Sequence, residues 1–103
     1  MIVLARPFTR GVNIESASYA GIASDLINGN GKNGVAVSKN SVLHLGNPTG
    51  TKTEDTPNTT TVKNGQYGLS ASWGSYVQGR LGTLSGPTDG ATFTHGANNN
   101  LTP

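Results

Sequence analysis

The sequence contains no cysteine and few charged residues, and both shortages narrow what the protein can be. Without cysteine there is no disulfide framework and no thiolate zinc site. Charged residues make up 12% of the chain, about half the share that is usual for globular proteins. We therefore expect a surface of neutral polar side chains, mainly Asn, Thr, Ser and Gly.

Apolar side chains are also scarce, at 33% of the residues. A chain of 103 residues has room for one domain, and its 15 glycines add almost nothing to a core. The sequence thus predicts a single domain over residues 1–103 with a thin core. Contacts with neighbouring molecules would help to stabilise such a core.

No apolar run is long enough for a signal-peptide core or a membrane span, since the N-terminal run ends at Ala5. We expect synthesis in the cytoplasm without a signal peptide, and no membrane partner. The lysines are scattered along the chain: Lys32, Lys39, Lys52 and Lys63. With a net charge of +2 they make no basic stripe, so no nucleic-acid partner is predicted.

Short alternating segments bounded by Gly, Asn and Pro predict a mainly β protein. One short helix is allowed over residues 16–28, where Ser16 can cap the N-terminus and alanines recur. Asn64-Gly65 predicts a type I′ hairpin with strands at 59–63 and 66–72. The sequence therefore favours antiparallel pairing around this turn.

The alternation beyond the hairpin places Trp73 on the same face as Tyr67, so its ring is predicted to be core. Residues 46–58 are expected to be a long polar loop, and residues 1–11 and 96–103 to be extended arms. No fixed period in the Gly, Asn and Thr pattern survives more than one cycle, so a β-solenoid is not expected. The predicted fold is a small antiparallel β-sandwich or partly open barrel.

No catalytic, cofactor-binding or metal-binding residue is predicted, and no cofactor. The string at 29–34 matches G-x-G-x-x-G, but a strand follows it where a helix is required. Asp25 lacks the further carboxylates of a calcium loop. The two histidines, His44 and His95, are far apart and each alternates within a strand. Glu54-Asp55 lies in the polar loop, where a carboxylate pair would be solvated.

The composition favours a non-enzymatic structural protein that forms homo-oligomers and joins a larger protein assembly. A small virion component, such as a phage capsid decoration or coat subunit, is the leading expectation, with the arms and the 46–58 loop at the interface. A carbohydrate-binding or adhesin-like module is the alternative, because four aromatic residues could stack on sugars. These are Tyr19, Tyr67, Trp73 and Tyr76. An enzyme with a Ser/His/Asp triad assembled from distant residues is third.

Overall fold

The computed structural model describes residues 3–4, 10–23, 25–46, 57–86 and 89–102, and these contain strands and no helix. None of the described residues belongs to a helix able to cross a membrane. The strands are β1 (Val3–Leu4), β2 (Val12–Ile14), β3 (Tyr19–Ile22), β4 (Leu26–Ile27), β5 (Val35–Val37), β6 (Val42–Leu45), β7 (Tyr67–Ala71), β8 (Tyr76–Arg80), β9 (Asp89–Phe93) and β10 (Asn98–Thr102). The prediction of a mainly β protein is confirmed.

All of these strands pair in parallel, which makes the predicted antiparallel sandwich or barrel wrong. The first sheet has the order β2-β5-β7-β9, and the second sheet has the order β3-β6-β8-β10. A third side is formed by β1 beside β4, extended by a bridge between Leu26 and Thr59. The chain visits these sides in turn and then returns to the first. The described architecture is a parallel β-solenoid.

The solenoid repeat escaped the search for periodicity because its coils differ in length. On the second sheet Tyr19 pairs with Val42, Val42 with Tyr76 and Tyr76 with Asn98, so the spacings are 23, 34 and 22 residues. The long spacing contains the whole predicted polar loop, residues 46–58, of which residues 47–56 lie outside the described part of the chain. One insertion therefore hides a repeat that is otherwise nearly regular.

Parallel register stacks inward side chains into columns along the solenoid axis. On the first sheet one column is Val12, Val35, Leu69 and Ala91. On the second sheet another is Ala20, Leu43, Val77 and Asn99. Members of the middle coils are fully buried, with Val35, Leu69, Leu43 and Val77 all at 0% exposure. Burial of each such side chain contributes about 1.5–3 kcal/mol to the free energy of folding.

The predicted helix over residues 16–28 is wrong, because this stretch forms β3 and β4 instead. Alanine favours a helix only weakly, and tertiary context overrides that preference. Here Ile22 and Ile27 are both buried, on two different sides of the solenoid. A helix could not place both side chains in these stacked columns and also pair with the next coil.

The predicted hairpin at Asn64-Gly65 is also wrong. Residues 59–63 form no strand beyond the bridge at Thr59, and Asn64 is 1% exposed instead of lying at a turn tip. Gly65 is required for another reason: a Cβ placed on it would collide with the carbonyl oxygen of Gly31 in the preceding coil. The Asn-Gly pair thus marks a tight contact between coils.

A ladder of buried amides connects successive coils at the corner between the third side and the first sheet. The side-chain oxygen of Asn64 accepts the backbone N–H of Asn30 at 3.1 Å and its side-chain Nδ2 at 2.8 Å. In turn, Asn64 Nδ2 donates to the carbonyl oxygens of Ser85 at 2.9 Å and Ile27 at 3.2 Å. Side-chain amides here satisfy backbone groups that no strand partner reaches.

The segments expected to be arms include paired strands. Residues 98–102 form β10, which pairs along its whole length with β8. Near the N-terminus, Val3–Leu4 forms β1 against β4, while residues 1–2 and 5–9 lie outside the described residues. The C-terminal stretch is therefore the last strand of the second sheet.

Replacing Asn64 with alanine should lower the free energy of unfolding by about 2–3 kcal/mol, because it leaves buried partners on Asn30, Ile27 and Ser85 unsatisfied. Urea denaturation followed by circular dichroism measures this. Asn13→Ala is the matched control, since Asn13 is exposed, and it should change the value by less than about 0.5 kcal/mol. Equal losses in the two variants would contradict the ladder.

Candidate functional site

Four two-residue turns stack at the corner between the first and second sheets. They are Ser16-Ala17, Lys39-Asn40, Trp73-Gly74 and His95-Gly96, and we call them the turn column. Every residue in it has a positive φ, between 52° and 77°. Such φ values are rare for residues other than glycine and for a tryptophan especially. Each coil must therefore gain enough from stacking to hold this conformation.

Hydrogen bonds between successive coils supply part of that gain. The amide of Ala17 donates to the carbonyl of Lys39, that of Asn40 to Trp73, and that of Gly74 to His95, at 2.9, 2.9 and 3.1 Å. Just beyond the turns, the buried Ser41 Oγ accepts the backbone N–H of Ser18 at 3.1 Å. The turns are thus fixed in line above one another.

Because the turns are in line, their first side chains project from one ridge. Trp73 and His95 stack there, with ring centroids 4.0 Å apart and planes 13° apart. The Trp73 side chain is 57% exposed, so the prediction that it is core is wrong. The alternation that predicted a buried ring stops at the left-handed turn, which rotates the side chain out of the strand pattern.

A groove of about 290 Å³ runs beside Trp73 across the outer face of the first sheet. Its polar lining consists of Arg10, Asn13, Glu15, Ser38, Ser70 and Ser72. Lys39 and Trp73 border both this groove and a shallow hollow of about 470 Å³ that reaches His95. Groove and hollow therefore form one continuous surface around the indole.

Opposite charges lie close together at the edge of this surface. Lys39 Nζ is 3.4 Å from Glu15 Oε2, and both side chains are largely exposed. An exposed pair of this kind adds little stability. It does place opposite charges together along this border, and Arg10 adds a further positive charge to the groove lining.

The other aromatic residues lie on different parts of the solenoid. Tyr19 is 69% exposed on the outer face of the second sheet, with its ring 5.1 Å from that of His44. Tyr76 is half-buried in the same outward column, and Tyr67 is half-buried at the start of β7. Among the described aromatic residues, Trp73 alone borders the groove.

The titratable residues considered from the sequence do not converge. His44 belongs to the second sheet and His95 to the turn column, so they contact different aromatic rings. Asp25 lies beside β4, where its backbone amide donates to the side chain of Asn58 at 3.0 Å. No group of three His, Asp or Glu side chains in the described residues could hold a metal ion. Glu54-Asp55 lies outside those residues.

Comparison with protein-family models, with curated proteins and with solved structures finds no match. The function must therefore be argued from the geometry of this chain.

A second candidate surface is the end of the solenoid formed by β9 and β10. These strands lie at the edge of the first and second sheets, and no described strand pairs with their outer edges. Inward residues of this coil, among them Phe93 and Leu101, are only partly buried. Both sheets thus end side by side among the described strands, and we call this surface the open end.

A sequence signal of the repeat lies in the residue that follows the left-handed pairs of the turn column. In three coils a serine follows the left-handed pair directly, as Ser18, Ser41 and Ser75. A strand then begins at the next residue. Aligning these short strings, and not the glycines and asparagines, would have shown the repeat despite its uneven spacing.

Trp73→Asn should change the free energy of unfolding by no more than about 1 kcal/mol, because asparagine tolerates a positive φ and offsets the lost stacking. Leu69→Ala in the adjoining strand should cost about 2–5 kcal/mol, since Leu69 is fully buried. Chemical denaturation compares the two. A loss for Trp73→Asn as large as that for Leu69→Ala would restore the core assignment.

Proposed function

We propose that the protein is a non-enzymatic structural subunit that assembles by stacking the open end of one copy on the opposite end of another. The observation that carries this is the position of β9 and β10, two five-residue edge strands on one coil. An edge strand offers a row of N–H and C=O groups to another chain. Two such rows side by side make a larger template than either alone.

The sequence of the open end lacks the features that usually discourage edge pairing. Lysine, arginine and proline, which block edge strands in many proteins, are absent from residues 89–102. Asp89 is the one carboxylate in this range. The β10 sequence Asn-Asn-Asn-Leu-Thr is entirely uncharged. Apart from Asp89, this composition has no carboxylate, lysine, arginine or proline to oppose the approach of another strand.

A second copy of the chain is the partner that fits best. At the other end of the same sheets, β2 and β3 are the edge strands, and they run in the same direction as β9 and β10. Head-to-tail stacking therefore continues both sheets in parallel. A contact of this type joins different surfaces of each copy and builds a ring or a filament.

The virion component expected from composition is one assembly of this kind, and it remains part of the proposal. The low charge of the surface and the partly buried Phe93 and Leu101 support an assembled state, since stacking would remove apolar surface from water. Deleting residues 96–103 is a poor test, because it would expose the edge of β8 beneath β10.

Asn99→Lys tests the stacking directly. Asn99 continues the inward column of Leu43 and Val77 but is exposed at the open end. The monomer tolerates a lysine there because the position is exposed, whereas stacking would bury the lysine charge without a partner. Analytical ultracentrifugation up to about 0.1 mM should detect oligomers of the unchanged protein, and the variant should raise the dissociation constant at least about tenfold.

Gln78→Lys is the matched control, because Gln78 points outward from β8, away from either end. It should assemble like the unchanged protein, and denaturation should show that both variants fold. A protein that stays monomeric over the whole concentration range, or an Asn99→Lys variant that assembles normally, would overturn the proposal.

A further inference from the structure

We propose that the groove beside Trp73 binds a neutral oligosaccharide, with the indole as the platform on which a sugar ring stacks. This site is separate from the open end and does not depend on assembly. It assigns a binding role to the exposed side of the turn column. The solenoid fold alone does not require an aromatic residue at the position of Trp73, because the equivalent positions in two other coils are Ser16 and Lys39.

The indole is held in place before any ligand arrives. Its backbone is fixed by the hydrogen bonds from Asn40 to Trp73 and from Gly74 to His95, and its ring stacks on His95. More than half of the side chain nevertheless stays exposed. A fixed, exposed aromatic loses little side-chain entropy on binding, so most of its contact energy is available to a ligand.

The groove next to the indole has the chemistry that sugar hydroxyls need. Ser38, Ser70 and Ser72 offer hydroxyl groups, and Asn13 offers an amide that can both donate and accept. Ala36 and Ser70 pair at the groove on neighbouring strands, and their small side chains let a ligand come close to the sheet. Polar groups beside an aromatic surface are typical of small-molecule sites with a fixed ligand orientation.

The charges of the groove favour a neutral ligand. The lining carries charges of both signs, Arg10 and Lys39 with Glu15, and Lys39 pairs with Glu15, so the described groove presents no cluster of one sign that would select a strongly charged ligand. Trp73 and Val37 are the large apolar residues of the described lining. An apolar peptide side chain therefore finds little to contact. Across three neighbouring strands, Asn13, Ala36 and Ser70 span about 10 Å, which suits a short oligosaccharide.

The experiment uses maltohexaose, cellohexaose, mannohexaose and chitin hexasaccharide as probes. Trp73 is the single tryptophan of the chain, so its fluorescence reports binding directly. At least one probe should give a saturable change with a dissociation constant between about 10 µM and 1 mM. Calorimetry with the same probe then compares the variants, because Trp73→Asn removes the fluorophore.

Two variants should weaken binding at least about tenfold, equivalent to about 1.4 kcal/mol: Trp73→Asn removes the platform, and Ser70→Arg fills the groove. Their matched controls are Tyr19→Asn and Gln78→Arg on the outer face of the second sheet, which should bind like the unchanged protein. Circular dichroism confirms that each variant folds.

Four results would overturn the inference. The first is no binding of any probe at about 10 mM. The second is full binding by both Trp73→Asn and Ser70→Arg. The third is a loss of binding in Tyr19→Asn with none in Trp73→Asn, which would move the site to the second sheet. A fluorescence change with a thymidine hexanucleotide and with no sugar would count equally against a neutral ligand.

Discussion

Stacking of each coil on the next in parallel register is the constraint on which the rest of this structure depends. It sets which residues point inward, because Val35 must lie on Leu69 and Leu43 on Val77. It also offsets the local backbone strain of the turns. The left-handed pairs of the turn column would be unfavourable in isolation, but each pair is hydrogen-bonded to the next and cannot relax alone.

Polar residues carry part of this constraint beside the apolar ones. A chain with so few large apolar side chains stacks its coils partly through buried amides and hydroxyls, with Asn30 on Asn64 and Ser41 on Ser75. No buried side-chain nitrogen or oxygen in the described residues lacks a hydrogen-bond partner. Fully satisfied polar contacts of this kind fix the register between coils, whereas apolar columns alone would tolerate small shifts.

The same stacking explains why both proposed functions use surfaces that are extended and repetitive. Parallel coils end in edge strands at each end of the solenoid, and this geometry invites a further coil from another chain. Along its side, stacking brings residues from successive coils into rows, so that Asn13 and Ser70 line one groove with Trp73 beside them. Neither proposed function requires His44 and His95 to lie in one site.

The sequence by itself determined that the protein is mainly β, because alternation and turn residues are local properties. It did not determine that the strands are parallel, since an Asn-Gly pair looks the same at a hairpin tip and in a ladder between coils. That choice was decided by residues distant in the chain, such as Asn30 opposite Asn64. The exposed position of Trp73 was likewise decided by tertiary structure: its positive φ is held by hydrogen bonds to coils that are distant in the chain, and the alternation around Trp73 does not show those contacts.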